Sequence, residues 1–221
     1  MKILNTEIAN AENNEVYPQV IDMGLDYDWD APDSVTHMIP YSRLHTPPRL
    51  ESFHLDPATR ATDVISQSYA HAAGLLVSEP FWWVLRAFTI QPHQILTAGV
   101  VSGTTRLPYR WIHIAEALEP RIEYSQSEFE YRASGGNDWV PSQLSSEDEL
   151  RALTRRLVNE GAGALAARRI TFDPATPRYD LFCLQLTSRV WFVSEELAAR
   201  LHSRGLTGFE LLPSRTDFVF R

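Results

Sequence analysis

The sequence predicts an α+β protein, with mixed or antiparallel sheets and a few helices arranged in two related strand-helix-strand units. Three observations predict it. Apolar runs of strand type recur along the chain. Two of them, Gly74-Leu75-Leu76-Val77 and Val190-Trp191-Phe192-Val193, end in Ser78-Glu79 and Ser194-Glu195 and pass into helical spacing. The flanks also match. Asp63-Val64-Ile65 begins fifteen residues before Ser78, and Asp180-Leu181-Phe182 fourteen before Ser194. Leu85 and Leu201, and Ile90 and Leu206, fall at shared offsets beyond the serines. Ser-Glu alone is a common helix start, but four features at one offset favour a unit of about fifty residues occurring twice, at 63–101 and 180–213.

Each element has a local reason. Ser78 and Ser194 read as N-caps, whose hydroxyls accept a bond from an orphan first-turn amide. The glutamate behind each sits at the positive end of the helix dipole. Pro80 is tolerated there because first-turn amides have no intrahelical acceptor. Phe81, Val84, Leu85 and Phe88 make the inward face of the first helix, leaving Trp82 or Trp83 at its edge. Residues 95–101 and 107–114 read as strands joined at Ser102-Gly103-Thr104-Thr105. In the second, Tyr109, Trp111 and His113 share one face, and Arg110, Ile112 and Ile114 the other. Residues 122–131 alternate weakly, as a further strand. Ser146 to Glu149 form a capping box. The helix it opens carries Leu150, Leu153, Leu157 and Leu165 as a stripe and is expected to reach Arg168 and Arg169, with Gly161 and Gly163 weakening its far part. Gly205 stops the second unit's helix. Phe218 and Phe220 alternate in a short last strand.

Residues 1–57 are expected to form an irregular acidic segment packed on an α+β domain at 58–221. Residues 16–22 suit a short strand, and Pro32, Pro40, Pro47, Pro48 and Pro57 punctuate the long irregular stretch beyond it. The chain's formal charge is −8, and residues 1–35 hold eight acids against Lys2 alone. An acidic chain is a poor wrapper of nucleic acid, since phosphate neutralisation needs a basic face. With 221 residues, 44% of them apolar, the chain can bury a real core. Cys183 is the only cysteine, which suits a reducing compartment. The first residues lack a secretory h-region and no apolar run nears 20 residues, so the expected setting is cytoplasmic, away from membranes.

The search for chemistry returns little. Asp26, Asp28 and Asp30 alternate like the start of a calcium loop, but Ala31 stands where the turn glycine belongs and His37 where the bidentate glutamate belongs. The seven histidines form no zincin pair, and one cysteine cannot make a thiolate zinc site. No nucleophile elbow surrounds Ser78 or Ser194, and neither a Walker loop nor a dinucleotide fingerprint is present. Cys183 lies in an apolar run and reads as a small buried hydrophobe. No cofactor, metal or catalytic residue is therefore assigned.

Taken in order, several segments resemble one family. They are Asp63-Val64-Ile65, Leu75-Leu76-Val77-Ser78-Glu79, Tyr109-Arg110-Trp111-Ile112-His113-Ile114 and Ile122-Glu123-Tyr124-Ser125-Gln126-Ser127-Glu128-Phe129, then Asp180-Leu181-Phe182, Val193-Ser194-Glu195-Glu196-Leu197 and Gly205-Leu206-Thr207-Gly208-Phe209-Glu210. This set resembles the bacterial polymorphic-toxin immunity proteins of family eleven, formerly a domain of unknown function. It spans about residues 60–215, and its motifs are structural. The resemblance implies a cytoplasmic antidote, encoded beside a toxin passed between competing bacteria, and no enzymatic residues.

The expected function is accordingly stoichiometric binding of a cognate toxin. The expected contact is the acidic run, through Asp22, Asp26, Asp28, Asp30 and Asp33, with Tyr27 and Trp29 as aromatic anchors. Two other classes remain open: a small enzyme that reverses the toxin's modification through the Tyr109 to His113 region, and a constitutively bound module of a secretion system.

Overall fold

The computed structural model describes residues 3–7, 18–70, 74–136, 138–161, 163–185 and 190–221. In chain order, β1 (Ile3–Glu7), β2 (Val20–Asp22) and β3 (Phe53–Leu55) lead into β4 (Val64–Ile65), β5 (Gly74–Ser78), α1 (Glu79–Leu85), β6 (His93–Ser102) and β7 (Thr105–Ile114). Then come β8 (Glu128–Arg132), β9 (Val140–Ser142), α2 (Glu147–Asn159) and β10 (Ala164–Thr171). Last are β11 (Leu181–Cys183), β12 (Trp191–Ser194), α3 (Glu195–Ser203), β13 (Glu210–Pro213) and β14 (Asp217–Val219). The α+β class holds. The strands make three sheets, ordered β2-β3-β6-β7-β5-β4, β11-β12-β1-β13 and β14-β10-β8-β9.

The repeat is real, down to its hydrogen bonds. In the first unit Val64 lies opposite Val77, and in the second Leu181 lies opposite Val193. The Ser78 and Ser194 amides donate to the Asp63 and Asp180 carbonyls, each at 2.8 Å. Both serine hydroxyls cap as expected, accepting from the Phe81 and Leu197 amides at 3.2 Å. Leu85 and Leu201 are equivalent and fully buried. Beyond them the offset fails: α3 has nine residues and α1 seven, which shifts the true match from Ile90 and Leu206 to Thr89 and Thr207. The two units then grip each other reciprocally. Val64 N–H donates to the Thr207 carbonyl at 3.1 Å, and its counterpart Leu181 N–H to the Thr89 carbonyl at 3.3 Å. Between them lies one apolar core, with Val64, Val77, Phe81, Leu85 and Ile112 meeting Leu181, Val193, Leu197 and Leu201.

Sheet order exposes a difference between the halves. The first unit runs β4-β5-β7-β6 and the second β11-β12-β1-β13. The inner place filled by β7 in one is filled by β1 in the other. Residues 3–7 are thus a regular central strand, not part of an irregular cover. A strand of five residues that pairs with partners more than 180 residues away carries no local sequence signal.

The stretch 146–169 is not one helix. α2 ends at Asn159, Gly161 takes φ +81°, and the chain returns as β10 along β8. Two glycines within three residues end the helix rather than weaken it, because a left-handed φ cannot continue it. A Cβ at Gly163 would lie 2.9 Å from Leu157 Cβ, so this return needs glycine. Leu165 is therefore a strand residue, and Arg168 and Arg169 pair across the sheet with Glu130 at 2.7 Å and Glu128 at 2.8 Å. The α2 stripe of Leu150, Leu153 and Leu157 is buried against Phe129, Ile170, Phe172 and Phe218, each leucine worth about 2 kcal/mol. The strand expected over 122–131 begins only at Glu128, after a 3₁₀ turn at Tyr124–Gln126.

The largest sheet is covered on both faces. Ile112 and Ile114 of β7 face the core between the units; Tyr109 and Trp111 face the other way, as the alternation predicts. There they meet Val20, Met23, Tyr27, Val35, Leu50 and Phe53 from the N-terminal part, which adds β2 and β3 to the sheet. Two residues fasten this cover: Gln94 holds the Leu44 amide at 2.7 Å and its carbonyl at 3.0 Å, and His113 Nε2 donates to the Ser42 carbonyl at 2.7 Å. Among the described residues no helix is long and apolar enough to cross a membrane.

Candidate functional site

The acidic run is a loop leaving β2. Asp22 Oδ1 accepts the Met23 amide at 2.7 Å and starts it. Gly24, at φ +88°, turns the chain, and Tyr27 N–H closes that turn onto the Gly24 carbonyl at 3.1 Å. Leu25 is left at the tip, 100% exposed. Tyr27 goes inward instead. Its hydroxyl accepts the Val35 amide at 2.7 Å and donates to the Arg49 carbonyl at 3.2 Å. Asp28 Oδ1 accepts the Asp30 amide at 3.1 Å, making the next tight turn.

Trp29 sits on that base. Its ring stands edge-on to Tyr27 with centroids 4.8 Å apart and tilts against Tyr69 at 5.6 Å, yet it remains 38% exposed. The Tyr69 hydroxyl in turn donates to the Ile21 carbonyl. Ile21 is 46% exposed. A lone exposed apolar side chain is ordinary in a folded protein; the Trp29 and Tyr69 rings are informative because they lie together, with Trp29 still open to water.

The expected contact residues divide accordingly. Asp26, Asp28 and Asp30 are exposed on the same loop as Leu25 and Trp29. Asp22 and Asp33 are half-buried and serve the loop's own backbone, the Asp33 carbonyl accepting the Arg49 amide at 2.7 Å. Tyr27 is no surface anchor: it is buried and supports Trp29 from below. Tyr69 packs on Trp29 and bonds the Ile21 carbonyl, while Leu25 stands alone at the loop tip, and no sequence signal marks any of the three. Leu25 has no periodic partner in a turn-rich run, so nothing local says whether it points in or out.

The Tyr109 to His113 region takes a different form from an open site. Trp111 and His113 are fully buried beneath the N-terminal cover. Tyr109 donates to the Thr62 carbonyl at 2.6 Å, and burial, with the Asp63 charge nearby, pushes its phenol well above its ordinary range. Burial pulls the His113 imidazole down, against a smaller opposite pull from the Ser42 carbonyl. Cys183 is buried 3.6 Å from the Tyr41 hydroxyl, and desolvation raises its thiol to about 12. These groups are core members, and Trp111 Nε1 and His113 Nδ1 are buried there without a hydrogen-bond partner. Among the described residues no group of three or more His, Cys, Asp or Glu side chains is placed to hold a metal ion.

No family model matches the chain, and no curated protein matches it.

Proposed function

We propose that this chain is an immunity protein that neutralises a cognate toxin by direct stoichiometric binding through the 21–33 loop. One observation carries the reading: Leu25 and Trp29 are held in water on a braced loop whose flanking side chains are Asp26, Asp28 and Asp30. An apolar centre inside a charged rim is the anatomy of a protein-protein contact. The rim suits a basic partner, since carboxylates on one side speed encounter and reject acidic surfaces. The resemblance of residues 60–215 to the family-eleven immunity proteins points the same way. The proposed setting is the cytoplasm, where a lone reduced thiol such as Cys183 is at home.

The decisive experiment is co-expression with the product of the adjacent gene. A complex of fixed ratio should purify, and one molecule of this protein should protect against one molecule of toxin. Protection at far below equimolar dose would instead indicate a catalyst. Absence of any complex with a toxic neighbour would end the reading.

A further inference from the structure

We propose that the place occupied by β1 is a strand-accepting slot that takes β1 from a second copy of this chain as well as from its own. It rests on the repeat and is independent of the toxin-binding reading. In the first unit the inner strand β7 arrives by a hairpin from β6, paired over ten positions from His93 opposite Ile114 to Ser102 opposite Thr105. No other molecule can supply that strand without opening the turn. In the second unit the equivalent strand is not contiguous with either neighbour. β1 lies antiparallel between β12 and β13, with Asn5 opposite Phe192 on one side and Leu212 on the other.

The slot has to be filled. Without β1, the inner edges of β12 and β13 would stand about two strand spacings apart, on the order of 10 Å, too far to pair with each other. Their backbone groups would be left unpaired beside Trp191 and Val193, which are buried in the core between the units. The sheet therefore selects for an extended strand with this register and direction, and the sequence of residues 3–7 meets that requirement whichever copy provides it.

The covalent path permits the exchange. β1 belongs to the β11-β12-β1-β13 sheet, and its principal contacts are with β12, β13 and α3. The next strand, β2, belongs to the other large sheet. Residues 8–19 connect the two and, at full extension, reach up to about 40 Å. So one copy can keep β2 in its own sheet while its β1 enters the slot of a neighbour. Every contact of β1 is then remade unchanged, which is the low-cost route to a dimer. The competition is between tethered and free strand, so the exchanged form rises with protein concentration.

The test uses two full-length versions distinguishable by size, one Asn5→Cys and the other Leu212→Cys. Neither can form the new disulfide alone. After mixing, unfolding and joint refolding, oxidation should give a reducible heterodimer whose yield rises with protein concentration. A control pair, Asn5→Cys with Ser142→Cys on the edge strand β9, should give only a background that the slot pair exceeds severalfold. The double variant Asn5→Cys/Leu212→Cys should close within one chain at low concentration. A heterodimer yield no higher than the control, while the double variant closes internally, would show that the slot accepts only its own strand and overturn the proposal. Failure of the double variant to close, in a folded sample, would overturn it too, by removing β1 from the slot.

Discussion

Asp63 Oδ2 accepts both the backbone amide of Thr207, at 2.9 Å, and its hydroxyl, at 3.2 Å. The bond has a counterpart across the molecule: Asp180 Oδ2 accepts the Thr89 amide at 3.0 Å. Each unit's aspartate thus catches the threonine behind the other unit's helix. The two are not equal, because Asp63 also accepts the Ser78 hydroxyl at 2.6 Å and so orients the cap of α1. Asp63→Ala should therefore destabilise more, by about 2–3 kcal/mol against about 1–2 kcal/mol for Asp180→Ala, because it loses three charged hydrogen bonds rather than one. Urea unfolding of the two variants measures the difference. Equal losses would mean that the bond from the Ser78 hydroxyl, which Asp180 lacks, adds nothing to the clasp.

Gly208 lies directly after the same clasp. It has φ +88°, and a Cβ there would run into the Val64 carbonyl and lie 2.5 Å from Thr62 Oγ1. Gly205, at φ +64°, has open space around the same added atom. Both positions favour glycine on backbone grounds, at about 1–2 kcal/mol for another residue. Only Gly208→Ala must also push apart the contact between the units. It should lower the thermal midpoint clearly more than Gly205→Ala does, and a similar drop in both would show that the Val64 edge yields freely.

Local chemistry was legible in the sequence. Ser78 and Ser194 announce their helices because a cap needs one hydroxyl at one position. The alternation of Tyr109, Trp111, Ile112 and Ile114 sorts itself onto two faces because a strand has period two. The helix stripe at Leu150, Leu153 and Leu157 was equally clear, but Leu165 happens to continue its spacing, and that apparent period outweighed the two glycines that end α2. The slot of β1 left no trace, since pairing across the whole chain is not written in five residues. At the candidate site the acidic character was visible, while the inward turn of Tyr27 and the outward turn of Leu25 depend on the Gly24 turn and on Val35 and Arg49, which no spacing rule brings together.

Cys183 offers a direct probe of core integrity. It is 1% exposed, its thiol is raised to about 12 by desolvation, and the Tyr41 hydroxyl only partly offsets that. At neutral pH almost none of it is thiolate, and at 1% exposure it meets a reagent when its surroundings open. Labelling by an aromatic disulfide should be negligible in the native protein and complete in urea, with a rate that tracks unfolding. Rapid labelling of the native protein would mean that the core between the units opens locally.

Stability should depend on His113 in a predictable direction. Its Nε2–H donates to the Ser42 carbonyl, so the neutral ring leaves Nδ1 as a bare acceptor, and that atom is buried without a partner. Burial holds the folded pKa below the ordinary 6.5. Above pH 6.5 the ring is neutral in both states and its contribution is complete. As pH falls from there toward the folded pKa, the unfolded chain binds the proton first and stability drops, by at most about 1.4 kcal/mol per pH unit. His113→Gln keeps an N–H for Ser42 and removes the titration. Between pH 7 and pH 5 its unfolding free energy should fall less steeply than that of the parent chain, and parallel curves would rule out a neutral buried imidazole.

On the proposed reading, in which the 21–33 loop binds a toxin, the loop makes separable demands on rate and lifetime. Asp26, Asp28 and Asp30 are exposed, so they act mainly at a distance, on the encounter, and salt screens them. Reversing all three to lysine should slow association with the toxin and flatten its salt dependence, leaving dissociation little changed. Trp29→Ala should do the opposite. It removes a ring braced by Tyr27 and Tyr69, whose cost of ordering is already met in the free protein, and should weaken binding by at least about 2 kcal/mol, roughly thirtyfold, through faster dissociation. Leu25→Asp adds charge to the apolar centre and should also act on dissociation, without unfolding the protein, because Leu25 is fully exposed. Surface plasmon resonance across a salt series separates the two kinds of effect. If all three changes left both rate constants as they were while the complex still formed, the toxin would be held by another face.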